Sequence, residues 1–174
     1  MKSLIYAILM TVGVGFSGVV AAEEMPSMSA VVVSAEFARI AQLAGRWEGT
    51  SRGHGKTEMV AAEYKLTSGG SAVIETLFHG TDHEMVTVYY DEAGKPSLTH
   101  YCALGNRPHM AFKSADDGSL SFEMGESGGV DPATPHMHAL TLETPDPDRL
   151  TQIWTFYENG AAKDTTRVDL SRVR

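Results

Sequence analysis

The stretch Glu84–Leu104, EMVTVYYDEAGKPSLTHYCAL, holds two strand-like runs separated by the turn residues Asp91–Lys95. Both runs are rich in β-branched and aromatic residues, and Asp, Gly and Pro cluster between them, which is the chemistry of a hairpin. Read with period two, Leu98, His100, Cys102 and Leu104 share one face, and Thr99, Tyr101 and Ala103 share the other. The first face is apolar except for an imidazole beside the single cysteine of the chain. A strand in this register directs His100 toward a core.

The same pattern runs outward in both directions. Strands are expected near 45–52, 57–66, 71–79, 84–90, 96–104, 109–113, 119–124, 135–142, 149–157 and 164–172. They are separated by RGHGK, TSGG, HGTD, DEAGK, GNRP, ADDG, TPDPD and ENGA, with GESGGVDPAT (125–134) as the longest loop, expected over one opening. Hairpin-length links suit an all-β, roughly ten-stranded, antiparallel up-and-down barrel, because closure removes exposed edges. A two-sheet sandwich is the alternative, but it needs longer crossings. More than eight strands leave room for an interior cavity. One helix is expected from Ser34 to Gly45, capped by Ser34, with Phe37, Ile40 and Leu43 on one face and Gly45 ending it.

The first residues, MKSLIYAILMTVGVGFSGVVAAEE, combine a positive start, an apolar run and Val20-Ala21-Ala22. This reads as a signal peptide over 1–22, cleaved near Ala22, giving a mature periplasmic or secreted protein. A linker over 23–33 and one barrel domain over 34–174 complete the expected organisation. A formal net charge of −8, scattered along the chain, argues against nucleic acid or an anionic membrane as partners, and no membrane insertion is expected once the signal is removed. One cysteine permits no internal disulfide. Cys102 is then either a small buried hydrophobe or a thiol with a purpose.

Within LAGRWEGTS, the triplet Gly45-Arg46-Trp47 at the start of the first strand resembles the Gly-x-Trp signature of the calycin superfamily. That superfamily includes the lipocalins, the fatty-acid-binding proteins and the nitrobindins. The resemblance implies a β-barrel whose Trp47 packs at the closed end. It also implies an arginine of the last strand against the ring, with Arg167 as the candidate in a cation–π contact of about 1 kcal/mol. Trp154 is the other candidate for a buried indole. The segment Gly69–Met110 is also similar to a family of exported bacterial proteins of unassigned activity. Nitrobindin-like proteins carry haem on a histidine near the C-terminus. Here the last histidine is His138, and no Cys-x-x-Cys-His is present, so haem is not expected.

Of the seven histidines, His136 and His138 repeat the pattern of His100, alternating with Leu140 and Leu142 onto one face. If the leucine faces point inward, His100, His136 and His138 converge on one interior pocket, with Cys102 beside them. Tyr89, Tyr90 and Tyr101 are further candidate contacts, because one face of each strand must line the barrel. The direction of Glu75 is left open by its strand, which is largely apolar on both faces. His-x-His on a strand also brings two imidazoles near one divalent metal ion, with His100 as a third ligand if the fold allows it. The expected function is binding of a small, partly apolar molecule in the barrel interior with histidine anchors. The alternative is an enzyme using the same cavity, either metal-dependent or with a histidine as general base.

Overall fold

The structure is a computed structural model and describes residues 31–174. The expected signal peptide and most of the linker lie outside the described residues. A short helix, α1 (Ala35–Ala41), precedes ten strands. These are β1 (Gly45–Gly53), β2 (Lys56–Thr67), β3 (Ala72–Leu77), β4 (Met85–Glu92), β5 (Lys95–Tyr101), β6 (His109–Ala115), β7 (Ser119–Glu123), β8 (His136–Asp146), β9 (Arg149–Glu158) and β10 (Ala161–Arg172). Each strand pairs antiparallel with its neighbours in sequence, and β1 pairs with β10, so the sheet closes into a barrel. The sandwich alternative is thereby excluded. Closure needs a close approach at Gly49, where a Cβ would lie 1.9 Å from the Asp169 carbonyl oxygen of β10.

Period-two alternation fills the interior. Val60, Ala62 and Tyr64 of β2, Val73 and Leu77 of β3, Leu120 and Phe122 of β7, and Leu140 and Leu142 of β8 are all buried. Fully burying a side chain of this kind contributes about 1.5–3 kcal/mol. The helix packs against β3, β4 and β5 and closes one end of the barrel with Phe37 and Ile40. Ser34 caps it by accepting from the Phe37 amide at 3.1 Å. The helix is shorter than its apolar spacing suggests. Its last turn tightens at Leu43 and Ala44, whose amides reach back to Ile40 and Ala41, and Gly45 with φ of 134° already opens β1.

At the end closed by the helix the Trp47 ring is buried, and its cationic neighbour is not Arg167. The Trp47 indole N–H donates to the Leu43 carbonyl at 2.8 Å, and the guanidinium over its ring, at 4.2 Å, belongs to Arg172. Arg172 also donates to the Ala44 and Gln42 carbonyls at 2.8 and 3.0 Å, tying helix to barrel. Arg167 has the wrong parity. Val168 and Leu170 point inward on β10, so Arg167 points outward, where it pairs with Asp169.

Replacing Trp47 by Ala should cost about 3–5 kcal/mol in urea unfolding. Arg172→Ala should cost about 1–2 kcal/mol through lost ring and carbonyl contacts. Arg167→Ala should stay within about 0.5 kcal/mol, as exposed ion pairs do. A larger loss at Arg167 than at Arg172 would contradict this assignment.

Candidate functional site

Four inward residues form one row around the barrel wall. Tyr64 of β2 lies opposite Glu75 of β3, Glu75 opposite Thr87 of β4, and Thr87 opposite His100 of β5. Glu75 is fully buried, which settles the direction that its strand left open. The Tyr89 hydroxyl donates to its Oε2 at 2.9 Å, and the Gln152 amide donates to its Oε1. Gln152 also donates to the Tyr64 hydroxyl at 2.6 Å and accepts from the Trp154 indole at 2.8 Å. A buried carboxyl needs such partners, because an isolated charge in this setting is prohibitively costly. Burial pushes the Glu75 carboxyl above its usual range, against the opposing pull of Gln152, Tyr89, Tyr64 and Thr87. Burial, reinforced by the Glu75 charge, holds both tyrosine hydroxyls well above 10, so they remain donors.

His100 ends the row. Its Nδ1 lies 3.0 Å from the Thr87 hydroxyl and its ring 4.5 Å from that of Trp154. Its Nε2 is buried and has no hydrogen-bond partner. The imidazole borders a small cavity of about 30 Å³ whose wall includes Leu77, Phe78, Met85, Met137, Trp154, Thr166 and Val168. That volume admits about two water-sized spheres. The interior is thus far more filled than strand number alone implies, chiefly by Tyr64, Tyr89, Trp154 and their neighbours. Phe78 enters the wall from the β3–β4 turn with φ of 56°, a strained backbone for an aromatic residue. A larger groove of about 590 Å³ lies on the outer wall, where Arg167 is already paired with Asp169 and Glu143.

His136 and His138 do not join His100. The register of β8 against β9 shifts between Met137 and Ala139, so His138 is an extra residue, a β-bulge. Leu140 and Leu142 point inward as expected, but beyond the bulge parity reverses. Met137 then faces the cavity, while His136 lies opposite Tyr157. On the outer wall the His138 ring stacks on Tyr157 at 3.8 Å, with Glu123 3.9 Å from its Nε2. His136 Nε2 meets His138 Nδ1 at 3.1 Å, and His136 Nδ1 donates to the Thr134 carbonyl at 2.7 Å. The expected three-histidine set is therefore split across the wall. Among the described residues, no group of three or more His, Cys, Asp or Glu is placed to hold a metal ion.

The other expected contacts divide likewise. Tyr89 is buried in the Glu75 network, whereas Tyr101 is half exposed on the outside and Tyr90 bonds His109 at 3.2 Å. Strand β5 stops at Tyr101, earlier than the alternation suggests, because Cys102 enters a tight turn. The Gly105 amide donates to the Cys102 carbonyl and the Cys102 amide to that of Asn106, with Gly105 at φ of 78°. Leu104 is consequently exposed. Cys102 is half-buried, and burial raises its thiol pKa, the opposite of activation. The 125–134 loop lies at the His100 end, bonded to β6 through the His109 amide and the Gly128 carbonyl.

These features define a class: a closed, ten-stranded antiparallel barrel, a fold compatible with ligand binding, with a polar row inside and a small cavity near one end. No protein-family model matches the chain, and no curated protein matches it. Among solved structures, a protein of unknown function of the DUF3598 family from Nostoc punctiforme PCC 73102 is similar, with a TM-score of 0.54 at 13% identity. The match covers 77% of this chain and 49% of that one, so the chain spans about half its length. Rv2717c from M. tuberculosis is similar with a TM-score of 0.53, also at 13% identity, over 82% of this chain and 100% of that one. At such identities the likeness is one of fold.

Burial lowers the His100 pKa from 6.5 to about 4. Between those values the unfolded chain takes up a proton that the folded chain refuses. The contribution of this group to stability is therefore complete above 6.5 and lost as pH falls toward 4. Glu75 acts with the opposite sign, but it is common to wild type and a His100→Gln variant. Between pH 7 and pH 4, wild type should lose about 3 kcal/mol more than His100→Gln in urea unfolding. Parallel pH curves would contradict this burial.

Proposed function

We propose that the protein is an exported, calycin-type binding protein that holds a small, partly apolar molecule in the cavity beside His100. The observation that carries this reading is the unpartnered Nε2 of His100, buried at the edge of an otherwise mostly apolar wall. A buried polar atom without a partner costs about 1–3 kcal/mol, which a ligand group bonded to it would recover. An apolar lining with one or two polar anchors is the usual composition of a small-molecule site.

The cavity as it stands suits only a few heavy atoms. Met85 and Met137 line it, and unbranched thioether side chains re-pack readily, so a ligand of ring size can enlarge it. Tyr89 supports this site from behind through Glu75, while His136, His138, Cys102 and Tyr101 lie outside the proposed contact set. Binding is favoured over general-base catalysis, because an imidazole held near pKa 4 is a weak base at neutral pH. Export rests on the N-terminal sequence pattern.

The test is NMR titration of the protein with small ring compounds bearing one polar group: phenol, anisole, cyclohexanol and benzoate. At least one should shift the Trp154 indole and the Met85 and Met137 methyl signals saturably. Met137→Trp, which fills the cavity, should abolish the shifts. Absence of saturable shifts for all four probes, or their persistence in Met137→Trp, would overturn the proposal.

A further inference from the structure

The row from Tyr64 to His100 ends at the cavity, with the Thr87 hydroxyl on Nδ1 and Nε2 left without a partner. This argument rests on the binding reading above and narrows it to a chemical class of ligand. Tyr89 and Gln152 donate to the two oxygens of Glu75. Thr87 sits directly between Glu75 and His100 in the register. Its hydroxyl carries one proton and two lone pairs. It lies 3.0 Å from His100 Nδ1 and can accept from an N–H there or donate to a lone pair, so the unpartnered Nε2 decides between the two tautomers.

A neutral imidazole has one N–H. With Nδ1 protonated, Nε2 carries a lone pair, and this is the buried atom left without a partner. The opposite tautomer would bury an unbonded N–H, which folded proteins avoid more strictly than an unfilled lone pair. We infer that the ligand is an uncharged molecule that donates a hydrogen bond, an alcohol or a phenol, to the unprotonated Nε2 of His100.

The rest of the wall agrees. An anionic group placed there would meet a lone pair rather than a donor. The Trp154 indole N–H is committed to Gln152, and Thr166 alone supplies another hydroxyl. One hydroxyl does not compensate the burial of an anion. Leu77, Phe78 and the two methionines provide the apolar surface for the body of the molecule.

Two measurements at pH 7 test the inference. Long-range ¹H–¹⁵N NMR of the wild-type protein should show His100 protonated at Nδ1 and unprotonated at Nε2. A proton on Nε2 would overturn the inference without touching the binding reading. In the titration, phenol should bind about five- to tenfold more tightly than anisole, which has the same ring but no proton to donate. Benzoate should bind more weakly than either. His100→Phe should equalise phenol and anisole. Benzoate or anisole equalling phenol on wild type would overturn the donor class while leaving a binding site, whereas no binding of any probe would overturn the binding reading itself.

Discussion

A carboxyl group buried in the middle of a β-barrel has to be satisfied by hydrogen bonds, and here the interior is arranged around that requirement. Glu75 receives the Tyr89 hydroxyl and the Gln152 amide, and Gln152 in turn fixes the Tyr64 hydroxyl and the Trp154 indole. Four strands (β2, β3, β4 and β9) supply this network, so its geometry depends on the barrel being closed in one register. A one-residue slip of any of them would turn its polar group outward and leave its partners unpaired. The network therefore acts on specificity of the fold as well as on its stability.

The same carboxyl reaches the cavity indirectly. Thr87 stands between it and His100 in the register, with its hydroxyl 3.0 Å from His100 Nδ1, and His100 lines the cavity with Met85, Met137 and Trp154. At the opposite end Trp47, Arg172 and α1 form a separate closure built on one indole, one guanidinium and three carbonyls. The closed end holds the barrel shut, and the row inside ends at His100, whose buried Nε2 has no partner.

Much of this is legible in the chain. The turn residues between short alternating runs specify an up-and-down barrel, and the parity of Leu98 and His100 places that imidazole inside. Gly45-Arg46-Trp47 marks the closed end. The parity of Val168 and Leu170 would have selected Arg172 over Arg167 as the guanidinium on the same side of the strand. Three features escape a period-two reading. The bulge at His138 adds one residue and reverses the faces of His136 and Met137, with no glycine or proline there to announce it. Strand β5 ends inside an unbroken alternation because Gly105, not Cys102, governs the turn. Glu75 is hidden by its own strand, where Ile74 and Thr76 are nearly as compatible with the interior as Val73 and Leu77.

The central claim is that Glu75 is desolvated within the barrel and held there by neutral donors. Following its side-chain carboxyl by ¹³C NMR through a pH titration tests this most directly. The account predicts a midpoint above 4.5, the ordinary value for a glutamate, because burial outweighs the donors around it. A midpoint at or below 4.5 would place the carboxylate in contact with water or a cation and contradict the organisation described for the interior.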